Sequence, residues 1–500
     1  MPAALLFISV LAAAAPAPHV SGTAILDPDG RPLSLRGANW GWWRCVEPQD
    51  AGLMAQAGAN AVRIAFFWSK IVAPDDPEQV GGEGLQYLDS MVRWAQEAGL
   101  WIVLDCHEPP GGCNTAAWCA GGHNGLWREA HSQSLFLSMW RQLAGRYRDN
   151  DRLLAYELYN EPVPPADLPV EEYRALCLRA IDEIRAVDPE HAIVVSGPAW
   201  SSPGGLTDEM LLDRPNLIYT FHFYSPGDIT HYQGGDLRYP GTVPTSVRWL
   251  GNSPEDWGAT GTCDWTPLQK TFVAPDGAVR GQVMLRSSHN AGQAWFDGVE
   301  LECEGEPVDL GPNTDFAAER GSTGWQVERP GAGDFTWDGA EGRGGPGSLS
   351  IAGTDSYNSW RLREAFLARP GARYTLRCRV KCRDATGHTY PAVAWFSAED
   401  THIDREWLAR QMRPAIEFSR RNRVAIYCGE FGCSQSVPEQ SGLRWVEDVA
   451  GLLEEQAVPW TYWNWKETTG PGSMGVWVQK DGRYVPQEPL QELLGRLWAR

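Results

Sequence analysis

The amino-acid sequence predicts an α/β fold, a (β/α)8 TIM barrel with an all-β, jelly-roll-like domain inserted after strand 6. Eight short apolar segments alternate with amphipathic segments, which is the pattern of a closed parallel barrel. A long interval between the sixth and seventh apolar segments has no helical periodicity. The length of 500 residues also exceeds what one hydrophobic core usually supports.

The eight strand candidates are short and rich in β-branched and aromatic residues, as buried strands are. They are residues 33–39, 61–67, 101–107, 153–161, 192–198, 217–224, 424–431 and 458–465. Between them, apolar residues recur at spacings of three and four, which predicts helices packed on a sheet. The helical segments are 85–98, 134–147, 170–187, 405–421, 443–456 and 490–498.

Residues 234–401 interrupt this alternation. They are rich in Gly, Trp and turn residues and read as many short strands. The predicted order is a signal peptide at 1–18, the first part of the catalytic barrel at 19–233, the inserted β-sandwich at 234–401 and the last part of the barrel at 402–500. Loops at the carboxyl ends of barrel strands tolerate such insertions.

The charge balance limits the class of partner. The chain has 43 Lys and Arg against 63 Asp and Glu, a net charge of -20. Such a surface repels nucleic acid and anionic membranes, so neither is expected as a partner. We expect a monomer.

The first residues form an apolar stretch from Ala3 to Ala15 followed by small residues, which is typical of a signal peptide and predicts a secreted, extracellular or periplasmic protein. The eleven cysteines are compatible with an oxidising compartment. Cys113 and Cys119 share a Gly-rich loop and could form a disulfide. With His107 and His123 nearby, a zinc site is the alternative, but the spacing matches no paired-ligand pattern.

Polar and aromatic side chains stand at the predicted carboxyl ends of the strands, where barrel enzymes carry their working groups. Two of them are carboxylates at the ends of strands 4 and 7, the arrangement that glycoside hydrolysis needs: one protonates the departing oxygen and the other attacks the anomeric carbon or activates water. The candidates are Asn39, Arg63, His107, Asn160, Glu161, His222, Tyr224, Glu430 and Trp463.

The neighbours of Glu430 suggest how it is kept ionised. Arg63 could do so by charge, and Tyr224 could donate a hydrogen bond to the same carboxylate. A structural ion pair or a core tyrosine is the alternative for each. Glu157 lies four residues before Glu161, about 13 Å deeper at the rise of a strand, and is expected to be an interior partner for a cation.

The remaining candidates suit a polyol substrate. His107 and His222 are expected to contact sugar hydroxyls or to tune the acid, although a lone histidine is often structural. Trp463 is expected to stack under the reacting sugar because a flat apolar ring fits a sugar face.

The chain resembles glycoside hydrolase family 5, a cellulase-like family of clan A. The resemblance covers about residues 30–232 and 402–485. It rests on RGANWGWW, NAVRIAFFW, VLDCH, LYNEP, FHFYSP, YCGEFG and YWNWK, in that order. It implies retention through a covalent glycosyl-enzyme, with Glu161 as acid/base and Glu430 as nucleophile, and the other candidates as substrate-binding residues.

The loop after strand 3 is longer and richer in cysteine than in a simple cellulase and resembles the exo-acting β-1,3-glucanase branch. The insertion resembles a carbohydrate-binding module whose beginning and end appear in reversed order. A circularly permuted module, joined near Glu302 to Asn313, is one hypothesis, and two partial sandwiches are the other. Trp249, Trp257, Trp265, Trp325, Trp337 and Trp360 form either a sugar-stacking platform or part of the core.

The expected activity is that of an endo-β-1,4-glucanase acting by double displacement on β-glucan polysaccharide or oligosaccharide, without metal or cofactor. A β-1,3-glucanase or β-mannanase on the same scaffold is the enzymatic alternative. A non-catalytic carbohydrate-binding protein is the alternative of another class, and the presence of both glutamates argues against it.

Overall fold

A computed structural model describes most of the chain. The residues described are 17–116, 118–165, 168–232, 237–255, 257–287, 289–311, 313–317, 321–328, 333–343, 345, 347–354, 359–468 and 472–500. The predicted signal peptide lies almost entirely outside them. The chain divides into two compact units, one formed by Met1–Val243 with His402–Arg500 and the other by Pro244–Thr401.

The first unit contains a closed barrel of eight parallel strands. The strands are β1 Arg36–Trp40, β2 Ala61–Phe67, β3 Trp101–Glu108, β4 Leu153–Glu157, β5 Ala192–Ser196, β6 Leu217–Phe223, β7 Ala425–Phe431 and β8 Trp460–Tyr462. This confirms the predicted TIM barrel. Strand β4 ends before its predicted limit at Glu161, where the backbone turns into the left-handed region with φ 46°.

Seven helices of nine residues or more surround the barrel among the described residues. They are α1 Pro48–Gln56, α2 Gly82–Glu97, α3 Ala130–Tyr147, α4 Val170–Arg185, α5 Arg405–Asn422, α6 Ser441–Glu455 and α7 Glu488–Trp498. The connection from β5 to β6 contains two short 3-10 turns, Pro203–Gly205 and Asp208–Met210, in place of a helix. No helix among the described residues is long and apolar enough to cross a membrane.

Alternation along the strands separates two apolar layers. On β2, Val62, Ile64 and Phe66 face outward into the large core shared with the helices. Ala61 belongs to a smaller cluster inside the barrel, formed by residues such as Leu35 and Val103 near the amino ends of the strands. Because successive side chains point to opposite faces, Arg63 shares the inward face with Ala61, two residues closer to the carboxyl end.

In the second unit, eleven strands form one hydrogen-bonded sheet network. Its longest strands are Ala259–Val273, Asn290–Cys303 and Arg373–Ile403. One core joins both halves of the insertion, because Val283 and Phe296 cluster with Leu349 and Val380. Circular permutation stays a prediction, and part of the proposed junction, residue 312, lies outside the described residues.

The tryptophans of the second unit fall into two groups. Trp325 and Trp360 are buried in its core. Trp249 is 57% exposed, and its Nε1 donates to Asn252 Oδ1 at 3.2 Å. The six tryptophans therefore do not form one exposed platform.

Candidate active site

A cleft with a volume of about 490 Å³ opens at the carboxyl ends of the barrel strands. Most of the predicted site residues line it: His107, Glu161, His222, Tyr224, Glu430 and Trp463. The other three, Asn39, Arg63 and Asn160, are buried and are linked to these groups by hydrogen bonds. The structure thus brings all nine predicted residues together.

Glu161 and Glu430 face one another across the cleft, with His222 between them. One carboxylate oxygen of each glutamate and one His222 ring nitrogen lie within 4.8 Å of one another. His222 Nδ1 lies 2.9 Å from Glu161 Oε1 and 3.5 Å from Glu430 Oε2. Among the described residues, these three side chains form the one group of His, Cys, Asp and Glu close enough to hold a cation together.

The backbone around Glu161 positions its side chain. The Asn160 amide donates to the Cys106 carbonyl at 3.0 Å, which keeps this segment beside β3. The Glu161 carbonyl accepts a hydrogen bond from Asn114 Nδ2 at 3.1 Å. The left-handed φ of 46°, uncommon for a residue other than glycine, ends the strand here.

Glu430 is held on both carboxylate oxygens. Arg63 Nη1 donates to Oε1 at 2.6 Å and the Tyr224 hydroxyl donates to Oε2 at 2.8 Å. The preceding Gly429 leaves the necessary space, because a Cβ there would lie 2.8 Å from Thr220 Oγ1 and 3.1 Å from His222 Nε2. Both predicted contacts of Glu430 are therefore present.

The Arg63 guanidinium is a fully buried hub. Its Nε and Nη2 donate to the two oxygens of Glu157, each at 2.8 Å, and Nη2 lies 3.2 Å from Asp105 Oδ1. Nη1 also donates to Asn39 Oδ1 at 3.0 Å. The planar fork of arginine suits this multiple contact. Glu157 is thus the interior partner of a cation, as the sequence predicts.

Burial dominates the pKa values of the two glutamates. It raises the pKa of Glu161 to about 7, with Arg63 and His107 acting in the opposite direction. Burial also raises the pKa of Glu430, against the lowering effect of His222 and Arg63. The expectation that Arg63 favours the ionised form of Glu430 has the right sign, but burial outweighs the cation in the net shift.

His107 is fixed in one tautomer by its two partners. Asn160 Oδ1 accepts from Arg63 at 2.8 Å, so the Asn160 amide nitrogen faces His107 Nε2 at 3.3 Å and donates to it. His107 Nδ1 then carries the proton and donates to Asp105 Oδ2 at 2.8 Å. Burial lowers the pKa of His107 to about 4, so the ring is neutral and its one acceptor nitrogen faces Asn160.

The indole of Trp463 lies flat against His107, with ring centroids 5.4 Å apart and planes 12° apart. Trp42 meets it edge-on at 5.6 Å. The residue before Trp42 must be glycine, since a Cβ at Gly41 would lie 2.3 Å from Trp463 Cη2. The RGANWGWW segment therefore contributes both an aromatic wall and the space for the platform.

The cleft-lining residues that sequence reasoning missed include Trp42, Trp118, Trp200 and Glu467. The Trp118 ring centroid lies 4.9 Å from that of His107, with the planes tilted by 37°. Trp200 is 41% exposed and belongs to three consecutive left-handed residues, 199–201. Trp42 stands in a motif already singled out, whereas the other three follow strand ends by several residues and gave no distinct signal.

Side chains of the Gly-rich loop after β3 hold the backbone at Asn160 and Glu161. Cys113 and Cys119 are free thiols, and Cys113 Sγ donates to the Asn160 carbonyl at 3.1 Å. His123 Nε2 pairs with Glu129 Oε1 at 2.8 Å. These side chains are not among the described groups that could share a metal ion.

Comparison with known proteins identifies relatives of this chain. Residues 26–262 match the family described as Cellulase (glycosyl hydrolase family 5). Endoglucanase C of Acetivibrio thermocellus is 22% identical over 451 residues, 90% of this chain and 91% of the relative. A probable glucan 1,3-beta-glucosidase A of Aspergillus fumigatus is 34% identical over 159 residues, 31% of this chain and 37% of the relative.

Solved structures share the fold. A glycoside hydrolase structure covers 93% of this chain and 99% of its own, with a TM-score of 0.51 and 16% identity. Endoglucanase Cel5A from Thermotoga maritima covers 92% of this chain and 96% of its own, with a TM-score of 0.50 and 17% identity. At these identities the likeness concerns the fold.

Proposed function

Since this chain is a glycoside hydrolase with a family 5 cellulase domain, we propose that it cleaves β-linked glucan with retention of the anomeric configuration. Glu161 is the acid/base and Glu430 is the nucleophile. The observation that carries this proposal is the approach of carboxylate oxygens of Glu161 and Glu430 to within 4.8 Å across the cleft.

The distance favours double displacement. Retaining enzymes place the two carboxyl groups about 5 to 5.5 Å apart, whereas inverting enzymes need about 6.5 to 9.5 Å to admit a water molecule between them and the sugar. Carboxylate oxygens within 4.8 Å of one another fit the shorter of these two spacings better than the longer one. This supports direct attack of Glu430 on the anomeric carbon.

The first step uses the environment of each carboxyl group. Arg63 and Tyr224 hold the two oxygens of Glu430, so its ionised form is oriented for attack. The pKa of about 7 keeps a proton on Glu161 near neutrality, and that proton passes to the departing glycosidic oxygen. The products are a Glu430 glycosyl ester and the released alcohol.

The second step reverses the role of Glu161. Ester formation removes the negative charge of Glu430, which lowers the pKa of Glu161 because a neighbouring like charge is lost. Glu161 then takes a proton from water, and the hydroxyl oxygen attacks the anomeric carbon and releases Glu430. Burial lowers the pKa of His222 to about 4, so its neutral ring adds no charge beside either carboxylate.

The substrate we propose is a β-1,4-linked glucan. Flat aromatic faces at Trp463 and Trp42 suit the apolar faces of glucose units, and Endoglucanase C is similar along most of the chain. A β-1,3-glucan is the second candidate, because the relative described as a glucan 1,3-beta-glucosidase has the higher identity over its shorter match.

The experiment compares hydrolysis of carboxymethylcellulose and laminarin and follows the anomer first released by NMR. Release of the β-anomer is expected, and initial release of the α-anomer would exclude retention. Glu430→Ala should lose turnover by a factor of about 10⁴ or more and regain part of it with azide, as an α-glycosyl azide. Glu209→Ala, which removes an exposed carboxylate, is the matched control and should keep full activity.

We also propose that the apolar leader directs secretion of a monomer. The leader sequence from Ala3 to Ala15 supports secretion. Amino-terminal sequencing of protein recovered outside the cytoplasm should begin near residue 19. Recovery of an intact leader from the cytoplasm would contradict the proposal.

A further inference from the structure

Two cysteines of the second unit lie directly opposite one another on adjacent strands. Cys263 belongs to the strand Ala259–Val273 and Cys382 to the strand Arg373–Ile403, and the two strands pair antiparallel. In the register of this pair, Cys263 is the partner of Cys382. Both side chains are free thiols, and neither has a place in the proposed mechanism. The fold thus brings together two thiols that are about 120 residues apart in the sequence.

The backbone separation at such a pair suits a disulfide. Residues directly opposite one another in an antiparallel ladder have Cα atoms about 4.5 or 5.5 Å apart, depending on whether the pair is hydrogen-bonded. Disulfides usually span Cα distances of about 4.4 to 6.8 Å. Either kind of pair is therefore compatible with a bond between the two sulfur atoms.

The two side chains also point to the same face of the sheet. Cys382 is buried in the core of the second unit with Phe296 and Val380, and Cys263 packs against the same cluster. Burial raises the pKa of Cys382 to about 11, and its side-chain hydrogen bond with Cys263 acts in the same direction. The hydrogen bond means that the two sulfur atoms are already in contact.

The strand pairing is irregular around these cysteines. The register shifts between Gly261 and Cys263 and again between Cys263 and Thr266. Side chains join the strands next to the first shift, because Thr262 Oγ1 donates to Asp384 Oδ1 at 3.1 Å and accepts from the Asp384 amide at 2.9 Å. A covalent bond at Cys263 fixes the register at the point where the backbone ladder is interrupted.

We propose that Cys263 and Cys382 form a modification site, which a thiol–disulfide oxidoreductase of an oxidising compartment converts to a disulfide. Cys263, the more exposed of the two, attacks the disulfide of this donor as a thiolate, and one donor sulfur leaves. Cys382 then loses its proton and attacks the Cys263 sulfur of the mixed disulfide, and the second donor sulfur leaves. The donor thus takes up the two electrons and the two protons that the cysteine pair loses.

The bond closes a loop that contains core strands of the second unit, among them Arg280–Ser287 and Asn290–Cys303. A link across a long loop stabilises the folded state mainly because it restricts the unfolded chain. For a loop of about 120 residues in a unit of this size, we expect the bond to raise Tm by about 5 to 15 °C.

Disulfide mapping of the full chain tests the proposal. The protein is produced in the bacterial periplasm behind an export signal and, as the reduced reference, in the cytoplasm. Free thiols are alkylated before digestion with trypsin. The periplasmic protein should yield residues 249–270, whose one cysteine is Cys263, linked to the dipeptide Cys382–Arg383. Recovery of both peptides alkylated from the periplasmic protein overturns the proposal.

Cys378→Ser is the matched control. Cys378 is buried in the same core, four positions before Cys382 on the same strand, but its register partner is Leu268. Trypsin releases it in a dipeptide of the same composition, so the variants are needed to assign the link. The linked peptide should persist in Cys378→Ser and disappear in Cys382→Ser. Its loss from Cys378→Ser or its persistence in Cys382→Ser overturns the assignment.

Thermal unfolding measures the effect of the bond on stability. Dithiothreitol should lower the Tm of periplasmic Cys378→Ser by about 5 to 15 °C and that of Cys382→Ser by clearly less. Any other disulfide contributes equally to both variants, so an equal fall in the two overturns the proposed staple. Neither mapping nor unfolding depends on turnover, and both results stand whether or not the proposed function is correct.

Discussion

Gly41→Ala tests whether the aromatic platform depends on a glycine next to it. The added Cβ would lie 2.3 Å from Trp463 Cη2, and ordinary contact begins at 3.4 Å. The difference, 3.4 minus 2.3, requires a movement of 1.1 Å. The ring cannot make this movement freely because it is stacked on His107 at a centroid distance of 5.4 Å.

The expected cost falls on catalysis more than on folding. A displacement of about 1 Å in a positioning group can cost about 100-fold in rate, so kcat/KM on an aryl β-cellobioside should fall by about that factor. Overpacking should lower the free energy of unfolding by about 1 to 3 kcal/mol. Initial rates and urea unfolding measure the two effects.

Gly52→Ala provides the control for Gly41→Ala. Gly52 lies in helix α1, and a Cβ there meets nothing within 4 Å. This variant should keep wild-type kinetics and gain up to about 1 kcal/mol of stability from helix propensity. A displacement of about 1 Å should cost about 100-fold in rate. Activity within about twofold of wild type in Gly41→Ala would therefore refute the requirement for a fixed Trp463.

Two further predictions concern charge. Because Glu161 acts as an acid only while protonated and burial raises its pKa to about 7, kcat/KM should fall as the pH rises through about 7. A pH profile of Glu161→Gln that keeps this alkaline limb would contradict the assignment. Arg63→Met should lower the free energy of unfolding by about 3 to 5 kcal/mol, because buried carboxylates lose their shared cation. In urea titrations the exposed control Arg31→Met should change it by less than about 1 kcal/mol, and an equal change in both variants would refute the hub role of Arg63.

The barrel was predictable because strand composition and helical periodicity alternate regularly along the chain. The prediction failed where local signals conflict with tertiary structure. Helix α1, Pro48–Gln56, was missed since it is short and contains a glycine, which disfavours helix. No helix was predicted between β5 and β6, and the structure has two short 3-10 turns there.

The candidate site also contains residues that could be predicted from the sequence and residues that could not. Residues at strand ends, such as Glu161 and Glu430, could be placed because the end of a barrel strand defines a position in space. Trp118 and Trp200 belong to loops, whose path depends on contacts distant in sequence. The direction of the net pKa shift of Glu430 could not be predicted from the sequence, because it depends on the balance between burial and the Arg63 charge.

The excess of carboxyl groups over cations explains how this site keeps a proton for the reaction. Arg63 contacts three buried carboxyl groups, those of Asp105, Glu157 and Glu430, and Glu161 adds a fourth. Burial lowers the pKa values of both His107 and His222 to about 4, so neither ring supplies a second positive charge near neutrality.

One cation cannot balance four ionised carboxyl groups in a buried site, so at least one proton must remain there at neutral pH. Burial raises the pKa of Glu161 to about 7 and that of Asp105 to about 7, which makes these two groups the carriers. Asp105 faces inward to Arg63 and His107. Glu161 alone of the two lines the cleft, so the proton that the buried charge excess retains is available to a glycosidic oxygen at Glu161.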